Sequence, residues 1–450
     1  MKTFKKVLVF LTMIAILVSL AACGGKETTN TPGTSSPAAS QSPSSEPGKD
    51  PVTINVFTNL SDRSAGQGKL EQMLLDNYVK ENPHVTIKVE ALQDEPYKQK
   101  FQSYVAGNNL PDFLSVWGQP SFLEAVMEKG YVAELNPDDY KDYGFFEGAT
   151  TDFSYNGKLY GLPRNQDMTT LYINKGMFEA NGVKIPTTYN ELLDAARAFR
   201  EKGIQPLTIN GKDKWILNLF FQDLLLKVSG NQRTIYNASK GDTNFASDPD
   251  IRKAAELYKG LIDAGLFQDS FISADYGAAM NLFLQEQAAM FYMGAWEVGM
   301  ASNPDNSESF RKNVDLIPFP VVEDGKGKAT DIVAWNGGGY AVSASSPVKE
   351  EAIKLLNYMM HPDNWAKIGW QEGLVVPGQN YSSYLTGNEN ILQKGVTNIL
   401  NTATSMSGTP WNDFKPGEWK SDVENIIQEF SAGAVSIDEF LSKLDEAAAK

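Results

Sequence analysis

Cysteine and histidine are almost missing from this 450-residue chain, which has one of the first and two of the second. The lone Cys23 cannot pair within its own chain, so a disulfide framework is excluded. His84 and His361 each lie beside a proline at the end of an element and lack metal-ligand spacing. A Gly-x-Ser-x-Gly elbow and a phosphate-binding Gly-x-x-x-x-Gly-Lys loop are absent too. Neither a metal nor a cofactor is expected from such a set. Cations are in short supply: 40 Lys and Arg face 55 Asp and Glu, for a formal net charge of −15. That balance argues against a nucleic-acid partner and against adhesion to anionic lipid. Beyond the first two dozen residues, no apolar run approaches the ~20 residues that a membrane span needs.

What is present begins with a leader. Lys2, Lys5 and Lys6 form a basic start, Val7 to Leu20 is apolar, and Leu20-Ala21-Ala22-Cys23 follows with small residues at a cleavage point. This order resembles the lipobox of bacterial lipoproteins. The resemblance implies that residues 1–22 are a signal peptide and that Cys23 becomes the mature N-terminus. Cys23 would then carry lipid, palmitate included, and no free thiol would remain for catalysis. A plain secretory signal with a chance cysteine is the other reading. Residues 24–50 are mostly Gly, Ser, Thr, Pro, Asn and Gln. They cannot bury enough apolar surface to offset their ordering entropy, so residues 23–50 are expected to form a lipidated, disordered tether. The folded part is then expected at the extracellular face of the cell membrane, held to it but not within it. About 400 residues remain, enough for two sizeable lobes.

Val52, Ile54 and Val56 alternate and predict a strand, Leu70, Met73, Leu74 and Tyr78 fall on one helical face, and Val85, Ile87 and Val89 alternate again. Strand, helix, strand at this spacing predicts a parallel pair with ligand groups near the strand ends. Pro111 to Gly118 predicts a short buried strand ending on Trp117, which reads as a cleft aromatic or as a core tryptophan. The organising stretch is residues 155–167, Tyr-Asn-Gly-Lys-Leu-Tyr-Gly-Leu-Pro-Arg-Asn-Gln-Asp. Asn156-Gly157 is a tight-turn signal, Pro163 cannot donate to a sheet, and four polar residues follow. A crossing between two lobes would look like this, and so would a surface hairpin. Downstream, Thr188 with Glu191 predicts a capped helix, Trp215 to Leu226 an apolar one, and Leu374 to Val376 a short strand. Further capping pairs are read at Ser121 with Glu124, Ser421 with Glu424 and Ser436 with Glu439.

Six segments in order resemble the extracellular sugar-binding proteins of ABC importers, the maltodextrin-binding proteins among them. They are Pro111–Gly118, Tyr160–Pro163, Leu171–Lys175, Pro186–Leu193, Met290–Glu297 and Gly338–Val342. The resemblance covers nearly all of the chain after residue 50. It implies an α/β, two-lobed, periplasmic-binding-protein-like fold with a central ligand cleft and multiple hinge crossings. These crossings would lie near Pro163–Asp167, Ile332–Gly339 and Gly373–Gly378. Lobe one would be 51–163 plus 340–378, and lobe two 168–332 plus 390–450. The implied function is to capture a carbohydrate, expected to be an oligosaccharide, and deliver it to the permease subunits of an ABC transporter. The implied working form is a monomer that closes on its ligand.

A sugar offers apolar C–H faces and a rim of hydroxyls, so its site needs aromatic planes and planar polar groups around a cleft. Trp117, Trp215, Trp296 and Trp335 flank strands at suitable places. By the resemblance, Asp167 takes the position of a cleft carboxylate and Asp62-Arg63 that of a first polar loop pair. Glu297 follows Trp296 directly, and Gln119 and Arg164 join the set. Trp411 and Trp419 lie where the family carries a late cleft aromatic; Trp411 is taken as the ligand residue, and either also reads as core or surface. Two other readings stand beside this one. Asp167 and Glu297 form a carboxylate pair of the kind glycosidases use, but no nucleophile motif surrounds either, so the chain is not expected to be an enzyme. A surface adhesin that binds polysaccharide without transport also fits the aromatic content.

Overall fold

The computed structural model describes residues 50–413 and 418–450. The leader, Cys23 and residues 24–49 of the expected tether lie outside the described residues. β1 (Val52–Thr58) is followed by helix α1 (Gly66–Glu81), β2 (Val85–Ala91), helix α2 (Asp94–Ala106) and β3 (Phe113–Trp117). β4 (Leu162–Pro163) precedes the long β5 (Gln166–Asn174), and helix α3 (Tyr189–Glu201) leads into β6 (Gln205–Thr208). Then come helices α4 (Trp215–Ser229) and α5 (Tyr276–Leu284), β7 (Ala288–Gly294), β8 (Val314–Ile317), β9 (Ala334–Asn336) and β10 (Gly338–Val342). Helix α6 (Glu418–Ser431) lies near the C-terminus.

These strands form two sheets. The first has the order β2-β1-β3-β10-β4, with β1 parallel to both neighbours and β10 antiparallel to both of its own. The second has the order β8-β5-β7-β6, with β5 antiparallel to β8 and β7, and β6 parallel to β7. Sequence periodicity explains the start. Alternation buries Ile54 and Val56 of β1, and Leu70, Leu74 and Tyr78 come together on one face of α1. The crossover then returns β2 parallel to β1, with Val52 opposite Val85. Each sheet has its own core. Ile54, Phe57, Phe101, Tyr340 and Trp365 belong to the first, and Leu171, Phe220, Tyr258, Phe291 and Phe440 to the second. Helix α4 is buried along its whole length; it is mostly apolar, but Asn218, Gln222, Asp223 and Lys227 are buried with it. Its buried Asp223 accepts from the Thr169 and Tyr292 hydroxyls, both at 2.6 Å, and Lys227 donates to the Lys328 carbonyl at 2.9 Å. Buried charge is tolerable because it is satisfied in this way.

Among the described residues the chain passes between the two sheets, or the cores that belong to them, three times. Ser154–Tyr155 and Lys158–Leu159 form a hairpin whose turn residues Asn156 and Gly157 have φ of 49° and 77°, the left-handed pair such a turn demands. After it, β4 and β5 belong to different sheets. β9 lies antiparallel against the start of β5, with Trp335 opposite Asp167, and β10 continues against β4. The two strands approach too closely for side chains on the Gly337–Gly339 run. A Cβ on Gly337 would fall 1.9 Å from Asp167 Oδ2, and one on Gly339 would fall 2.4 Å from the Leu162 carbonyl. The third passage places Pro377 beside Asn165, and the Gly378 N–H donates to the Arg164 carbonyl at 3.2 Å.

Some local expectations fail. Leu374–Val376 is buried but joins no sheet, because a crossing segment has no strand edge beside it. Ser421 lies inside α6, where its hydroxyl donates to the Glu418 carbonyl at 2.9 Å, so the helix begins earlier than the pair suggested. Ser121 sits in a π-helical turn, Pro120–Glu124, that has no side-chain cap. The Ser436–Glu439 box is formed in full.

Candidate functional site

A cavity of about 510 Å³ lies where loops from both lobes meet. Small-ligand sites run roughly 300–1,000 Å³, so the space suits a ligand larger than one ring. On the first lobe it is lined by Asn59–Asp62 after β1, Gln93–Glu95 after β2, Trp117 at the end of β3 and Gln119 just after it. These are the carboxyl ends of the parallel strands, where open α/β sheets place ligands. The second lobe brings Trp215 at the start of α4, Tyr276 from α5, Trp296 and Glu297 after β7, and Trp335 from β9. Arg164, Asn165 and Asp167 of the crossing line it as well.

Trp296 is held in place by its surroundings. Its ring folds back over Gly294, where a Cβ would fall 1.9 Å from a ring carbon. Its indole N–H donates to the Tyr276 hydroxyl at 2.7 Å, and that hydroxyl donates in turn to Glu297 Oε1. Trp215 and Trp335 flank it at ring-centre distances of 6.0 and 5.9 Å. Trp117 stands on the first lobe, edge-on to Phe122 at 5.0 Å.

Charge is arranged unevenly. The buried Arg164 guanidinium donates to Gln67 Oε1 and Asn59 Oδ1, both at 3.0 Å, and to the Ser115 hydroxyl at 3.2 Å. It thereby orders the first-lobe wall. Burial pushes the Asp167 carboxyl up to about 7, against the opposing pull of Arg164, the Asn165 amide and the Gly338 backbone. Burial also raises Glu297; the Tyr276 hydrogen bond opposes this, and Asp62 adds to it from across the cleft. Burial alone would lower the Lys98 ammonium, but ion pairs to Asp94 at 2.8 Å and Glu95 at 2.7 Å outweigh it, and its pKa is raised.

Nine of the residues singled out from sequence line this one cavity: Asp62, Trp117, Gln119, Arg164, Asp167, Trp215, Trp296, Glu297 and Trp335. Two do not. Arg63 turns back onto α1, pairing with the buried Glu71 and donating to Gln72 Oε1 at 3.1 and 3.0 Å. A buried carboxylate needs a cation more than the solvated loop does. Trp411 is buried in the second core, stacked on Phe245 at 6.2 Å and Trp419 at 6.4 Å. Its apolar area goes to packing instead of the cleft, and Trp419 is buried there too. Sequence reasoning missed Asp94 and Lys98, which the strand-end rule applied to β2 would have found. It also missed Tyr276, which opens an apolar helix and carries no local signal. Asn165 and Gln67, too, line the cavity unannounced.

Residues 73–389 match the bacterial extracellular solute-binding proteins. The chain is 24% identical over 331 residues to the multiple sugar-binding protein of Streptococcus mutans, covering 72% of this chain and 74% of that one. It is 26% identical over 389 residues to the galactooligosaccharide-binding protein of Bacillus subtilis, covering 84% and 81%. Among solved structures it is similar to a protein from work on xylan utilization by the thermophilic bacterium Caldanaerobius polysaccharolyticus. The TM-score there is 0.79 at 25% identity, over 88% of this chain and 99% of the other. The family match spans well over half of the sequence and agrees with the two-lobed fold, and the chain belongs to the bacterial extracellular solute-binding protein family.

Proposed function

We propose that this protein is the substrate-binding component of an ABC importer, and that it captures an oligosaccharide in the cleft and presents it to the permease. The observation that carries this reading is Trp296. Its ring is fixed over Gly294 and tied through Tyr276 to the adjacent Glu297, so an apolar plane and a hydroxyl acceptor stand side by side. That pairing suits the face and rim of a pyranose. The names of the relatives, sugar-binding and galactooligosaccharide-binding, support the same ligand class. Asp62, Trp117, Gln119, Asp167, Trp296, Glu297 and Trp335 are proposed to touch the sugar, with Arg164 ordering the wall behind them. Binding proceeds without turnover, on a monomer. Cys23 is proposed as the lipid anchor, motivated by the order of residues 1–23.

A thermal-shift panel of galacto-, xylo- and malto-oligosaccharides tests the ligand class, since a ligand that binds only the folded state raises the melting temperature. Trp296→Ala is expected to weaken the responding sugar by about 1–3 kcal/mol in calorimetric titration while the fold is retained. No response from any carbohydrate would overturn the reading, and hydrolysis of the sugar would return the protein to the enzymes. Cys23→Ala is expected to release the protein into the medium; retention at the membrane would refute the anchor.

A further inference from the structure

The two lobes are joined directly across the cleft. The Trp215 indole N–H donates to Asp94 Oδ2, at the start of α2, at 2.8 Å. Lys98, one turn along α2, holds its ammonium 5.4 Å from the Trp117 ring centre and 5.8 Å from that of Trp215. Asp94 and Glu95 fix that ammonium at 2.8 and 2.7 Å. One cation, held by two first-lobe carboxylates, therefore faces an indole from each lobe, within the range of a cation–π contact. Both attachment points stand on unusual backbone. Asp94 has φ of 22°, and Lys214, immediately before Trp215, has φ of 61°. Neither is glycine, and such conformations persist where the surroundings over-determine them, often at functional sites.

These contacts use up Trp215. Its N–H is occupied by Asp94, and Lys98 stands over its ring. We infer that Asp94, Lys98 and Trp215 form a cross-lobe clasp that favours the closed form, and that sugar stacking falls to Trp296 and Trp335. All three are positioning residues. Contacts that exist only when the lobes are apposed shift the open–closed equilibrium before any ligand arrives. Apparent affinity scales with the fraction of binding-competent protein. Loss of the clasp should therefore weaken every sugar by the same factor, whereas loss of a stacking plane should depend on which sugar is bound.

The test is small-angle scattering on the ligand-free protein and two variants. Trp215→Phe keeps an aromatic ring and deletes the N–H; Lys98→Met keeps the stem and deletes the charge. Both are expected to show a larger radius of gyration than the parent, with unchanged circular dichroism as the control for folding. Equal radii in all three would overturn the clasp. This readout needs no sugar, so its failure is separate from failure of the carbohydrate reading, on which only the second arm rests. That arm is calorimetric titration with a short and a long oligosaccharide from the thermal-shift panel. Each variant is expected to weaken both by a common factor of about three to ten. A loss confined to one of them, with an unchanged ligand-free radius, would make Trp215 a stacking platform and refute the inference.

Discussion

Asp167 sits where two crossing strands meet, opposite Trp335 and hard against Gly337. Its carboxyl is pushed up to about 7, first by burial, with Arg164, Asn165 and Gly338 pulling the other way. An unfolded chain would hold it near ~3.9. Between those values the folded protein keeps a proton that the unfolded chain has released, so stability falls as pH rises from about 4 to 7 and is level above that. Asp167→Asn imitates the neutral form. It is expected to stabilise the protein at pH 8 by about 1–3 kcal/mol and to change little at about pH 3.5, below the unfolded value. Melting curves at the two pH values check this; a shift independent of pH would mean that Asp167 does not titrate in this range. At this scale the sequence was informative where residue type and position near a strand end coincided, as for Trp117 and Trp296, which line the cavity; Asp167, which lines it too, came from the family resemblance. It misled where a partner distant in sequence decided the outcome. Arg63 is claimed by the buried Glu71, and Trp411 by Phe245 and Trp419, and no local pattern announces either.

At the scale of elements, the glycine run Gly337–Gly339, where β9 gives way to β10, leaves no room for side chains. Gly337→Ala would drive a methyl into Asp167 Oδ2, with 1.9 Å available, and push the Asp167 and Asn165 side chains out of their places at the crossing. A loss of about 1–3 kcal/mol is expected from such overpacking, with weaker sugar binding, and denaturant unfolding with titration would register both. Normal stability in that variant would show that the crossing yields. Within α4, Leu224→Ala removes packing from a helix that is buried on all sides, and about 2–5 kcal/mol should be lost in the same unfolding assay. Periodic elements such as β1 and α1 were legible because period 2 and period 3.6 report directly on which face is buried; in β2 the alternation found the strand, but only Val85 of its apolar residues is buried and Val89 is exposed. The Leu374–Val376 segment was misread because hydrophobicity reports burial and says nothing of whether a strand edge is near. The start of α6 was misread because a Ser-x-x-Glu spacing fits a helix interior as well as its cap.

For the whole molecule, the order of motifs was a better guide than any one of them, since the two-lobed arrangement depends on where the chain crosses. Oligosaccharide at about 100 times its Kd is expected to add roughly 2.7 kcal/mol to the unfolding free energy of the parent. Calorimetry at rising sugar concentration measures this, and a melting temperature that ignores the sugar would place the ligand class elsewhere. The interleaved strand order also bears on how the chain is made. β10, formed by residues 338–342, is inserted between β3 and β4 in the first sheet. When β3 and β4 have already been synthesised, more than a hundred and fifty residues of the other lobe still separate them from the strand that joins them. Pairings so distant in sequence are slow to form. A nascent chain therefore cannot complete its first lobe until three-quarters of it has been translated, and until then the inner edge of β3 stays without its partner.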